Sequence, residues 1–258
     1  MTGAPDPGEI FDRAVEEGER RLDQSLLELA STSFIAGFTV VFGVVALGTV
    51  EALVGPQFGS VATLAGALAF GVGIVFLVIG RVELFNENFS DPAAAAVEAD
   101  SWRVTALVRL WVTTFAFNLV GGTLFALVFT VEGVLPPGAG AALSRFATES
   151  AARSVRAWFA SAIAGGALVS LLSFLLVSAD SQGTRLALAY LVGVVLALGP
   201  FDHVVVTWLH TFLGVLFGAA ITPVSLLAML VVVTAGNLVG GLGLVTLTHV
   251  TQAIGARE

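Results

Sequence analysis

Residues 199–203 read Gly-Pro-Phe-Asp-His and a second histidine follows at 210, inside a run that is otherwise apolar from Leu186 to Phe217. Three of these side chains bear on chemistry. The imidazole of His203 has an ordinary pKa near ~6.5, so small changes in its surroundings move its charge and let it exchange protons. Asp202 can carry a charge or accept from the free amides that open a helix. Pro200 lacks an amide hydrogen and its ring crowds the preceding turn, so a helix must stop just before it. His210 lies two helical turns after His203 and can share its face. A metal pair there has no carboxylate cluster to complete it, so neither metal nor cofactor is expected. An acid–base enzyme built on His203 and Asp202 lacks an accompanying nucleophile.

The elements that must hold these residues follow from composition. The 258-residue chain is 57% hydrophobic and 12% charged, with a mean hydropathy of +0.96. That much apolar surface cannot be hidden in a soluble domain of this size, whereas about 20 apolar residues cross the ~30 Å of a bilayer core. Apolar segments recur at roughly 34–54, 61–85, 104–131, 158–177, 186–217 and 224–250, which makes a six-span membrane protein the expected fold. The fifth segment is too long for one upright helix. Cut at Pro200, it becomes two half-helices meeting near mid-membrane, where broken backbone is tolerated only inside protein or beside a water-lined cavity.

All eleven basic residues are arginine, and net charge is −8. Eight of the nineteen acids precede residue 31, so the acidity belongs mainly to the lead-in. Nothing resembles the basic stripe of a nucleic-acid binder, and the absence of cysteine rules out disulfides and thiolate metal sites. Phe11, Ala14, Val15, Gly18, Leu22, Leu26 and Leu29 recur at helical spacing opposite a charged face. They predict one amphipathic helix within residues 1–30, a solvated cap on the membrane surface or under the bundle, and no cleavable signal peptide. With the N-terminus inside, seven arginines fall on inner segments and three on outer ones, which favours cytoplasmic termini in a cell membrane.

The chain also repeats itself. Gly80 opens "GRVE" and Gly199 opens "GPFD"; Asn118 and Asn237 both open "NLVGG", and one offset of 119 relates both pairs. Three-span units over 31–135 and 158–252 result, joined by 136–157 and followed by a tail at 253–258. An odd number of spans inverts the second copy, so the breaks at Gly80–Glu83 and Gly199–His203 are expected to face each other at the repeat interface. Asn118 and Asn237 are expected to tie down the interrupted helices, while Glu83 and Asp202 cap the half-helices that follow. Arg81 is expected to pair with Glu83 or Glu87, or to reach the surface.

"VELFNENF", "GPFDHVVVTW" and the paired "NLVGG" strings resemble the formate/nitrite transporter family across residues 30 to 252. The resemblance implies an all-α, aquaporin-like protomer of six helices with the second and fifth broken, assembled as a homopentamer in the lipid bilayer. It makes His203 the pore histidine with Asp202 beside it, and puts Leu84 and Phe85 in the loop that interrupts the second helix. Phe70, Ile74, Val169 and Leu196 fall where the family builds hydrophobic constrictions. Three positions depart from the family. Asn86 replaces a threonine, Gly166 stands where a pore asparagine is expected, and Arg153 or Arg156 must serve for an absent vestibule lysine.

The implied partners are a small inorganic or organic anion and a proton. Moving an ionised carboxylate into a dry slit costs tens of kcal/mol on an idealised estimate. Neutralising an acid of pKa ~4 at pH 7 costs only about 4. Protonation near His203 followed by passage of the neutral acid is therefore the expected mechanism. Alternatives are a neutral-solute pore, for which paired Asn-Pro-Ala motifs are missing, and a sensor or assembly protein whose "NENFSDP" loop closes the path.

Overall fold

The computed structural model describes residues 5–99 and 102–256 and is helical throughout its regular elements. Helix α1, Pro7–Asp23, starts with a reciprocal cap between Asp6 and Glu9. The single amphipathic helix expected to include Leu26 and Leu29 is divided. Gln24 leaves helical geometry, and the Ser25 hydroxyl accepts from the Glu28 amide to open α2, Leu26–Phe58. Of the two expected placements, α1 takes the packed one: Phe11, Ala14 and Leu22 are buried, the last against Leu29, Ala95 and Leu110.

Among the described residues, five stretches are long and apolar enough to cross a membrane: α2; α3, Val61–Ile79; Val104–Thr130; α7, Val155–Ser178; and Pro223–Ala253. The third comprises α5, Val104–Ala126, and a closing 3₁₀ turn. The last begins as α10, Pro223–Leu238, widens into a π-helical segment over Val239–Thr246 and runs on into α11, Leu247–Ala256. The wider turn brings Gly241 against the Phe89 ring and the Ser170 hydroxyl. Exposed valines and leucines on α5 and α10, among them Val112, Leu124, Val224 and Val231, give those helices apolar outer faces. Arg257, one of the arginines in the charge count, lies outside the described residues.

Both expected interruptions are present. Helix α8, Gln182–Leu198, stops before Pro200, and α9, Val204–Leu216, resumes after it. At ~1.5 Å per residue neither reaches the ~30 Å of a bilayer core. Helix α3 ends at Ile79, and the chain passes through a buried 3₁₀ turn at Phe85–Asn88 into the short α4, Ser90–Glu98. The left-handed residue at this break is Arg81, at φ 50°, not Gly80.

Two asparagines splice these interruptions with the same set of bonds. Asn118 Oδ1 accepts from the Phe85 amide at 2.9 Å, and its Nδ2 donates to the Glu83 and Ser33 carbonyls. Asn237 Oδ1 accepts from the Val204 amide at 2.8 Å, and its Nδ2 donates to the Asp202 and Ala162 carbonyls. Amides and carbonyls freed by the breaks thus regain partners, as buried backbone requires. Backbones approach so closely around these asparagines that a Cβ on Gly37 would overlap the Asn118 carbonyl, and one on Gly166 the Asn237 backbone. Gly37 and Gly166 are 129 positions apart, so the common register continues into α2 and α7 with a ten-residue shift.

Candidate functional site

Two cavities open at opposite ends of α3 and α8. One, of about 580 Å³, lies beneath α1 and includes Leu77 and Val78 of α3 and Arg185 of α8. The other, of about 260 Å³, lies against α6, Ala139–Ala151, and includes Thr63 of α3 and Leu196–Leu198 of α8. Fourteen helical residues separate Thr63 from Leu77, a rise of ~21 Å.

At the α6 mouth the break carries an ion pair. Arg153 Nη2 donates to both carboxylate oxygens of Asp202, at 2.8 and 2.6 Å, and the Ser161 hydroxyl donates to the same group. Asp202 therefore does not cap α9. The cap acceptor is Nδ1 of His203, 3.5 Å from the Val206 amide. The reason is register: α9 starts at Val204, so position 203 immediately precedes it. Arg153 lines the cavity, whereas Arg156 is exposed outside it, which separates two arginines the sequence left equivalent. His210 also lines it, its ring 4.4 Å from that of Phe146 and 6.0 Å from that of Phe70.

His203 sits deeper, fully buried at the start of α9, with Nε2 bonded to nothing among the described residues. Phe70, Ile74, Leu84, Phe85, Val169 and Leu196 are all buried in the same apolar core. Asn86 is buried as well, and neither Nδ2 nor Oδ1 of its amide has a partner among the described residues. Its backbone is held, because its carbonyl accepts from the Ser170 hydroxyl at 3.2 Å. Gly166 offers no room for the asparagine expected at that position, since it packs on the Asn237 backbone.

The α1 mouth is built from charge. Arg20 donates to Glu83 at 3.2 Å, and Gln24 donates to the same oxygen at 3.1 Å. Arg21 reaches the Glu87 carbonyl at 2.7 Å and lies 3.8 Å from Glu83 and 3.7 Å from Asp91. Glu83 thus receives α1 and does not cap α4. Arg81 points to the surface, 69% exposed and 4.0 Å from Glu17, so it pairs with neither Glu83 nor Glu87. Burial alone would raise the Glu17 carboxyl, but hydrogen bonds and charge from Arg20 and Arg21 outweigh it and hold the group at about 2. Burial would lower Arg21, yet Glu83, Asp91, Glu17 and Glu87 more than compensate and raise it. Gly18 fits because a Cβ there would overlap the Asp91 carbonyl. Ser173 donates to the Glu87 carbonyl and to Asp91, both at 2.9 Å. These serines and α1 arginines carried no signal in the sequence beyond an amphipathic period.

Trp111, Trp158 and Trp208 donate their indole N–H to Asn88, Ser150 and Thr123, which makes them packing residues; Trp102 is exposed.

Apolar spans around two interrupted helices, with a cavity at each end, define a multi-pass membrane transport protein. A family model described as formate/nitrite transporter matches residues 8–251, and the chain belongs to that family. A probable formate transporter of Methanothermobacter thermautotrophicus is 30% identical over 231 residues, covering 81% of this chain and 82% of the relative. The uncharacterized transporter YwcJ of Bacillus subtilis (strain 168) is 25% identical over 214 residues, covering 81% and 83%. Among solved structures, an FNT family ion channel superposes with a TM-score of 0.79 at 18% identity, over 94% of this chain and 98% of the other. A pentameric formate channel with formate bound gives 0.68 at 20% identity, over 93% and 98%. At those identities the two structures speak for the fold.

Proposed function

We propose that this chain conducts small monovalent weak-acid anions such as formate or nitrite. The anion is neutralised by protonation near His203 and the neutral acid passes the apolar constrictions. One observation carries the reading: a buried imidazole whose Nε2 has no partner among the described residues, at the interruption between two half-helices, within an apolar core that separates two cavities. Nδ1 accepts from a backbone amide, so a neutral ring carries its proton on Nε2 and presents a donor to an anion. Desolvation makes the charged anion the costly species in that core, so a donor and a proton source there lower the barrier most.

The two halves are read as inverted three-span repeats, with α8 and α9 counted as one span. The matched asparagine bonds support this, since each ties the residue after a break to its own half. The α1 mouth is placed in the cytoplasm and the α6 mouth outside. Apolar outer faces on α5 and α10 suit lipid and neighbouring copies in a homopentamer. A second reading, a sensor with a closed path, is favoured by the ion pairs that fasten α1 over one mouth.

Reconstitution of the full chain in liposomes, with flux measured for formate, nitrite, acetate and hydrosulfide, tests the proposal. Saturable uptake of at least one acid is expected, with a fall of about a hundredfold in His203→Phe, the scale of losing one positioned proton-transfer group. No uptake of any of them by the unmodified protein would leave the closed-path reading in its place.

A further inference from the structure

The 3₁₀ turn at Phe85–Asn88 holds two asparagines, and the fold uses the side chain of one of them. Asn88 Nδ2 donates to the Leu84 carbonyl at 3.1 Å, and its Oδ1 accepts from Arg21 at 3.2 Å. Asn86, two positions earlier, is fully buried, and neither atom of its carboxamide has a partner among the described residues. Its place in the turn is fixed through the backbone, by the Ser170 hydroxyl on its carbonyl. An unpaired amide in an apolar core costs more than a hydrocarbon of the same shape. Packing alone therefore favours leucine at this position, and the amide calls for a partner that the chain itself does not supply.

Helix α7 measures where that amide lies. Ser173 and Glu87 line the α1 cavity, and the Ser173 hydroxyl donates to the Glu87 carbonyl. Ser170, one turn nearer the second break, holds Asn86. A further turn on, Gly165 packs against the Asp202 backbone and Gly166 against that of Asn237. Asn237 in turn fixes the Val204 amide, next in sequence to His203. From Ser173 to Gly166 the helix rises ~10 Å. The levels along it are the charged mouth, then Asn86, then the break that carries His203. Asn86 and His203 line neither cavity, so both belong to the core between them. The aliphatic and aromatic side chains of Leu84, Phe85, Phe89 and Val169 make up that core around the turn.

We infer that the Asn86 carboxamide is a selectivity site for neutral acids that carry a hydroxyl and a doubly bonded oxygen on one atom, as formic, acetic and nitrous acids do. A carboxamide shows a donor and an acceptor side by side. Its Nδ2–H donates to the doubly bonded oxygen of the acid while the acid O–H donates to Oδ1, which closes a planar ring of two hydrogen bonds. The proton stays on the acid, and no covalent bond forms or breaks. The anion brings two acceptors and no hydrogen, so it sets an oxygen against Oδ1 and is the poorer match. A linear acid such as hydrazoic acid holds its N–H and its terminal nitrogen at opposite ends and cannot meet both amide atoms at once. Where His203 offers a single donor, Asn86 distinguishes the shape and protonation of what passes. The consequence for flux rests on the transport reading; the binding does not.

The test compares the full chain, purified in detergent, with Asn86→Leu and with Asn86→Ala, the smaller side chain serving if the larger one does not fold. Dissociation constants for carbon-13 formate and nitrogen-15 azide, anions of similar size and acid strength, are read from magnetic resonance line broadening at about pH 5, where a share of each is protonated. Formate binding is expected to weaken about thirtyfold in the variants, the worth of two hydrogen bonds, with azide binding within about twofold of the unmodified value. A merely structural asparagine would not move the ratio of the two. Equal loss of both ligands, unchanged formate binding, or no formate binding by the unmodified protein overturns the inference. In liposomes the same variants are expected to slow formate uptake and leave azide uptake unchanged; formate and azide slowed alike overturns it as well. Selective binding by an unmodified protein that carries no acid would remove the transport reading and leave the site standing.

Discussion

The two mouths solve the same problem with different chemistry. Beneath α1, arginines from one helix meet carboxylates of the interrupted segment, and a glycine lets backbones touch. Beneath α6, one arginine holds one aspartate, and the wall also carries aliphatic residues of α8, Phe146, Phe201 and the His210 imidazole. The first lies under an added helix, whose docking depends on charges staying paired. The second is shaped by the bundle itself and keeps a titratable ring at the edge of its cavity. A clasp of paired charges and a cavity edged by a histidine therefore occupy opposite ends of α3 and α8.

Removing the clasp should have the largest effect. In Arg21→Ala, Glu83 and Asp91 keep their burial but lose a cation, and stranding buried charge costs about 3–5 kcal/mol. Helix α1 should undock, which accelerated hydrogen exchange of residues 7–23 would reveal; exchange as slow as in the unmodified protein would show that the clasp lies elsewhere. At the other mouth, Arg153→Ala should cost about 2–5 kcal/mol by leaving Asp202 unpaired at the break, read as a lower Tm, while Arg156→Ala should change Tm hardly at all. Equal effects of the two substitutions would erase the distinction between them.

Smaller effects sharpen the contrast. Gly18→Ala should weaken α1 docking by about 1–3 kcal/mol, because its methyl overlaps the Asp91 carbonyl, and should leave the α6 mouth unaltered. Glu17 contributes the acid limb of the pH response, beside Asp91 and Glu87, whose burial raises them to about 6 and about 8. Its carboxyl is held at about 2 when docked against 4.5 when free, so its contribution is complete above about 4.5 and is lost as pH falls towards 2. Protease protection of α1 should accordingly persist through mild acid and decline only below pH about 4.5. In Glu17→Gln that decline should shrink; an unaltered decline would assign it to other carboxylates.

Much of this is legible in the amino-acid sequence alone. Pro200 stops a helix through its own covalent chemistry, so the interruption between Leu198 and Val204 was readable from one residue. Asn118 and Asn237 were findable because an identical string recurs at one offset, and their bonds obey it. The register of α2 and α7 escaped notice because a ten-residue shift separates it from that offset and nothing but glycines marks it. The boundary within the N-terminal stretch was hidden for a related reason: apolar spacing runs unbroken through Leu22, Leu26 and Leu29, while the stop depends on Gln24 and the Ser25 cap.

What the sequence determined by itself was whatever rests on local covalent preference or on the length and period of apolar runs: membrane spans, helix breaks and the repeated splice. What only the tertiary structure decided was pairing. Arg21 and not Arg81 meets Glu83, and Arg153 and not Arg156 meets Asp202. Most of these partners lie some fifty positions or more apart along the chain. Which of several like charges arrives within hydrogen-bond reach is fixed by how helices pack, a property no short stretch of residues carries.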